Sequence, residues 1–153
     1  MILKEWNYDD EWFEETNVAN KIRSYLIDQK YTIQHFNHDK KAKGHDIVAM
    51  QDGRKLIVEV KGFPSDKYVS GDRKGQKKPT HPNLQSKHWF SEAFTGLLIA
   101  KSLNWDVTVA MGLPYHKKYL ETIEKLHAVN EKIGIIYFIV HEDGSVHRQT
   151  FPV

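Results

Sequence analysis

Two β-rich runs, Asp46–Met50 and Leu56–Val60, flank the dipeptide Asp52-Gly53 within the stretch from Gly44 to Gly62. Asp-Gly between such runs is among the strongest short-range hairpin signals, because glycine adopts positive φ at no steric cost. With Asp52 and Gly53 as the loop, Gln51 pairs with Arg54, and a four-residue loop from Gln51 to Arg54 keeps the same register. Counting back, Met50 faces Lys55, Val48 faces Ile57 and Asp46 faces Glu59. Facing residues in an antiparallel ladder have Cβ atoms about 4.5–5.5 Å apart, and like charges placed there are destabilising. Side chains alternate faces, so Lys61 is expected on the same side as Glu59, and His45, beside Asp46, on the opposite one. Both runs are otherwise apolar on both faces (Ile47, Val48, Ala49, Met50; Leu56, Ile57, Val58, Val60), the pattern of strands covered on both sides. A carboxylate pair in such a place requires a cation or a shared proton. Paired carboxylate oxygens are hard ligands of the kind that Mg²⁺ takes.

The chain has 153 residues, 40% hydrophobic and 27% charged, which fits one globular domain over 1–153 with a full core. It contains no cysteine, so disulfides and thiolate metal sites are excluded; a cytoplasmic location is the matching expectation. The opening MILKEWNYDDEWFEE lacks a basic start and an apolar core, so no signal peptide is expected, and no apolar run approaches the ~20 residues that span a bilayer. The net charge of +2 hides an uneven distribution. Residues 1–15 carry six acids against Lys4, a local net of −5. Residues 66–88 carry Lys67, Arg73, Lys74, Lys77, Lys78 and Lys87 against Asp66 and Asp72, a local net of +4 suited to a phosphate backbone.

Val18, Ile22, Tyr25 and Leu26 recur at helical spacing and predict a first helix from about Glu11 to Gln29. Glu15 falls on that apolar stripe, whereas Glu14 sits nearer its edge. An acid on the buried side of a helix is unusual; the plain alternative is a helix-start acid interacting with the macrodipole. Tyr31–Phe36 reads as a strand. From Phe63 to about Gln85 the chain has three prolines, two glycines and no period, which predicts a mobile basic loop at about 63–85. A structureless loop of more than about 12–15 residues is uncommon in a compact domain and is usually functional or disordered. Its cations form a candidate nucleic-acid arm, or else a charged insertion exposed to solvent. A second helix is expected over about Ser86–Ser102, a strand from Asp106 to Met111 and a third helix from Lys117 to about Glu131. The apolar Ile133–His141 reads as a central strand, and an Asp143-Gly144 turn leads into an edge strand, Ser145–Phe151. The order α-β-β-β-α-β-α-β-β predicts an α/β fold, a mixed central sheet flanked by helices.

Asp46, followed after the hairpin turn by Glu59-Val60-Lys61, resembles the D…ExK signature of the restriction-endonuclease-like, or PD-(D/E)XK, nuclease superfamily. His45 stands where the name-giving proline of that superfamily would be. The order of elements is similar to the superfamily core over nearly the whole chain. The resemblance implies a Mg²⁺- or Mn²⁺-dependent endonuclease that hydrolyses phosphodiester bonds, with DNA as the expected partner. Asp46, Glu59 and Lys61 are then the catalytic candidates, and Asp46, Glu59 and the Val60 carbonyl the metal ligands. Glu15 (or Glu14) is the acid from the first helix that the resemblance implies would complete the shell or recruit a second ion. Lys67, Arg73, Lys74, Lys77, Lys78, Gln85 and His88 are the candidate nucleic-acid contacts. Small members of such a family often cut as homodimers or within larger assemblies. The rival readings are a catalytically silent nucleic-acid- or protein-binding module of the same fold, and a structural one in which Glu59 and Lys61 form a surface ion pair.

The nine histidines come without HExxH or paired cysteines and are expected to be scattered core or surface residues. His35-x2-His38 lies at a strand end, and His81 brackets the second helix with Gln85 and His88. No serine stands in a nucleophile-elbow context, and there is no P-loop or GxGxxG. Trp89 and Phe90 are expected in the core rather than as a base-stacking platform.

Overall fold

The predicted hairpin sits inside a six-stranded mixed sheet. The computed structural model describes residues 11–37, 44–64, 71–77, 79 and 81–152. Its strands are β1 (Thr32–Phe36), β2 (Ile47–Gln51), β3 (Arg54–Val60), β4 (Thr108–Pro114), β5 (Ile136–Val140) and β6 (Val146–Gln149), in that spatial order. β3, β4 and β5 run parallel to one another, and the remaining neighbours are antiparallel. The helices are α1 (Glu15–Asp28), after a short 3-10 turn at Glu11–Phe13, then α2 (Pro82–Leu103), α3 (Lys117–Lys125) and α4 (His127–Ile133). The chain is therefore α/β, a mixed sheet flanked by helices.

The hairpin register is the predicted one: Gln51 faces Arg54, Met50 faces Lys55 and Val48 faces Ile57. Asp52 (φ 51°) and Gly53 (φ 77°) both adopt positive φ, so the loop is the two-residue form that matches strand twist. The two faces of the sheet belong to different helices. Val18, Ala19, Ile22 and Leu26 of α1 bury Ile47, Ala49, Leu56, Val58 and Val60 on one face. Phe90, Ala93 and Leu97 of α2, with Tyr119 and Ile123 of α3, bury Ile57, Val109, Met111, Leu113, Tyr137 and Ile139 on the other. Glu59 and Lys61, two and four residues beyond Ile57, belong by alternation to this second face.

Several boundaries differ from expectation for identifiable reasons. α2 starts at Pro82, not Ser86, because proline suits the first helical position and the Nδ1 of His81 caps it by accepting the Asn83 N–H at 3.1 Å. The supposed loop at 63–85 is correspondingly shorter. Phe63 and Pro64 are buried, residues 71–77 form an exposed turn, and the chain is helical from 82. The expected third helix breaks at Leu126 into α3 and α4. There the buried Asn130 donates to the Ile123 carbonyl at 3.1 Å and accepts the Tyr137 hydroxyl at 2.8 Å. Gly134, left-handed at φ 65°, then ends α4, so β5 begins only at Ile136. The hairpin is also less enclosed than its apolar runs imply: α2 lies over β3 and β4, leaving Val48 and Met50 of β2 half-buried.

Candidate functional site

β2 stops one residue short of Asp46. The last ladder pair is Ile47 with Val58, and continuing it would set two carboxylates face to face. Gly44, at φ 116°, and a bend at Asp46 carry the chain away from the strand path instead. The Asp46 carbonyl accepts the Asn37 N–H at 2.8 Å, which ties the bend to the end of β1. The Asp46 side chain turns to the edge of β3, where its Oδ2 accepts the Val60 N–H at 2.7 Å. That carboxylate replaces the missing ladder partner of Val60. Because the N–H and C=O of a strand residue share an edge, the Val60 carbonyl is turned to the same side.

Glu59 is largely buried, its side chain 19% exposed. Burial pushes its carboxyl up to about 7; the Asp46 charge adds to the rise, and the hydrogen bond from His45 opposes it. The His45 contact, Nδ1 to Oε1 at 2.6 Å, corrects an expectation. Strand alternation placed His45 on the face opposite the acids. Residues 44–46 lie outside β2, so alternation does not govern them, and the ring meets Glu59 directly.

Lys61 follows the end of β3 on the Glu59 side, its N–H bonded to the Gly112 carbonyl at 3.0 Å. Its Nζ lies 3.3 Å from Oε1 of Glu92 on α2. Glu92 was not singled out from the sequence. It is the sole acid in α2, and that isolation is the signal that marks it.

Glu15 opens α1 and is half-buried, whereas Glu14 is exposed. The start of α1 packs so closely on Gly62 that a Cβ there would lie 2.6 Å from both the Glu15 nitrogen and the Phe13 oxygen. The Tyr119 hydroxyl donates to the Gly62 carbonyl at 2.6 Å; burial, then the Glu15 charge, push its pKa up. Next along the chain, Phe63 stacks on His116 at 3.7 Å between centroids. His116 caps α3 by accepting the Lys118 N–H at Nδ1, and burial holds its pKa down, to about 4, so it stays neutral and able to accept. α1 and α3 thus clamp the backbone that follows Lys61.

The outlying candidates are less concentrated. Arg73, Lys74 and Lys77 are exposed on the 71–77 turn; Lys67 and Lys78 lie outside the described residues. Gln85 and His88 belong to the first two turns of α2 rather than bracketing its start; His88 is exposed, and Oε1 of Gln85 is buried without a hydrogen-bond partner. Among the described residues, no three His, Asp or Glu side chains form a group that would hold a metal ion. Two carboxylates nevertheless fit Mg²⁺, which keeps several waters and is commonly held by one or two carboxylates together with substrate phosphates. No family model matches the chain, and no curated protein matches it.

Proposed function

We propose that the chain is a metal-dependent nuclease with a restriction-endonuclease-like core, acting on phosphodiester bonds in DNA. The observation that carries this reading is the arrangement of Asp46 and Glu59 at the end of the hairpin. Two acids converge there, one of them buried enough to resist ionisation, with Lys61 beyond them and an exposed basic turn on the connection leaving β3. A structural acid pair in such a place is a cost, because each buried charge is desolvated and repels the other.

In this reading Asp46 and Glu59 hold one Mg²⁺ or Mn²⁺ by carboxylate oxygens, with the Val60 carbonyl beside them. Such an ion, when bound, would supply Lewis-acid activation of the phosphate ester and of water. Lys61 supplies a positive charge to the negative charge that develops on the phosphate. Its contact with the exposed Glu92 is a weak surface ion pair that substrate phosphate can displace. Glu15 stands at the head of α1, next to Gly62, but forms no three-acid group with Asp46 and Glu59, so in this reading it would join the site only through a rearrangement or a second ion. Arg73, Lys74 and Lys77, with Lys67, Lys78, Gln85 and His88, are the proposed contacts to the nucleic-acid backbone.

The test is Mg²⁺-dependent cleavage across supercoiled plasmid, linear duplex, single-stranded DNA, a junction and RNA. The wild type is expected to cut at least one of these. Asp46→Ala and Glu59→Ala are expected to lose more than the about 10–100-fold that removal of an outer partner of a metal ligand costs, with unchanged circular dichroism. Full activity in either variant contradicts the assignment. No cutting across the panel favours a silent binding module of the same fold.

A further inference from the structure

His45 belongs neither to the acid pair nor to the strand that carries Glu59, yet it makes the shortest side-chain contact to that pair, 2.6 Å from Nδ1 to Oε1. The contact exists because Gly44 and the bend at Asp46 take residues 44–46 out of strand alternation. One short segment therefore delivers both Asp46 and the ring that touches Glu59. Whenever Glu59 is ionised, as a cation ligand must be, its oxygens only accept, so the Nδ1 of His45 carries the hydrogen and donates it.

The two carboxylates are then held in parallel fashion. Asp46 has Oδ2 fixed by the Val60 N–H, and Glu59 has Oε1 fixed by His45. Asp46 and Glu59 also lie within hydrogen-bond reach of one another, a contact that raises the Glu59 pKa and that a cation between the two carboxylates would replace. The terminal torsion of a glutamate is broad and settles into no single rotamer well. A hydrogen bond to one oxygen is what defines where the other points, and outer partners of this kind orient metal ligands generally.

Resting on the nuclease reading above, we infer that His45 is a positioning residue: its Nδ1–H anchors Oε1 of Glu59 and presents Oε2, together with Oδ1 of Asp46, to a single divalent cation. His45 does not itself ligate the ion, and it acts through Glu59.

Mn²⁺ binding followed by the loss of the free-ion electron paramagnetic resonance signal tests this without reference to cleavage. The proteins are the wild type, His45→Ala and His45→Asn, the last because the asparagine amide occupies the place of Nδ1. At 38% exposure the His45 side chain is replaceable without a core cavity, and thermal unfolding of each variant serves as the control. The expected result at pH 8 is a Kd raised about 10–100-fold in His45→Ala and largely restored in His45→Asn, with all three proteins folded and unfolding in a single cooperative transition. Wild-type affinity in His45→Ala overturns the role of His45 and leaves the metal reading standing. Equal weakening in both variants overturns the donor role, since the ring rather than its N–H is then what matters. No Mn²⁺ binding by the wild type overturns both this inference and the reading beneath it.

Discussion

At Glu59 the competing effects can be ranked. Desolvation is the largest cause of its raised pKa, the His45 hydrogen bond opposes it, and the Asp46 charge adds to it. A carboxyl raised from 4.5 to about 7 binds its proton more tightly in the folded chain than in the unfolded one. Stability contributed by this group is therefore present below about pH 4.5 and is lost as pH rises through about 7. Glu59→Gln is expected to remove that loss. Without added metal it stabilises the protein by about 1–3 kcal/mol at pH 8 and confers no gain at pH 4, read as the difference in melting temperature between the two pH values. A variant less stable than wild type at pH 8 contradicts this. At this scale the sequence was informative wherever the ladder governs. The register set Glu59 and Asp46 at the same end of the hairpin. It failed at His45, where the chain leaves the ladder, and at Glu92, whose approach to Lys61 depends on how α2 crosses the sheet.

The elements show the same division between local and distant causes. The hairpin was legible because Asp52-Gly53 fixes its turn by backbone conformation alone. The first helix was legible from its apolar stripe, and the split of its two acids, Glu15 half-buried and Glu14 exposed, follows that stripe. The start of α2 was misplaced because Pro79, Pro82 and the neighbouring glycines read as loop, whereas Pro82 is the first residue of the helix. The break between α3 and α4 rests on Asn130 bonding to Ile123 and to Tyr137 of β5, contacts that no local pattern carries. Where α1 meets the end of β3, the fold leaves no room at Gly62. The atoms that a Cβ would meet are the backbone of Phe13 and Glu15, which cannot rotate away. Gly62→Ala is expected to destabilise by about 1–3 kcal/mol, as overpacking does, and to lower the denaturant midpoint without changing its slope. An unchanged midpoint means that the head of α1 shifts at little cost.

Across the whole molecule, the parallel strands β3, β4 and β5 end at a common edge, and the antiparallel β2 brings its own beginning to the same place. Crevices at the carboxyl ends of parallel strands are the usual sites of open α/β sheets. Here that edge gathers the two acids, Lys61 and the clamp of α1 and α3, and the connection leaving it carries the exposed Arg73, Lys74 and Lys77. The mixed sheet followed from the order of predicted elements, because helical connections impose parallel neighbours and a tight turn imposes an antiparallel one. No helix among the described residues is long and apolar enough to cross a membrane. The most direct test of the acid pair as a metal centre is isothermal titration of Mg²⁺ and Mn²⁺ into the wild type and Asp46→Ala at pH 8, where Glu59 is ionised. The account predicts saturable binding to the wild type that disappears in the variant. No binding to the wild type, or binding that survives the loss of Asp46, contradicts it.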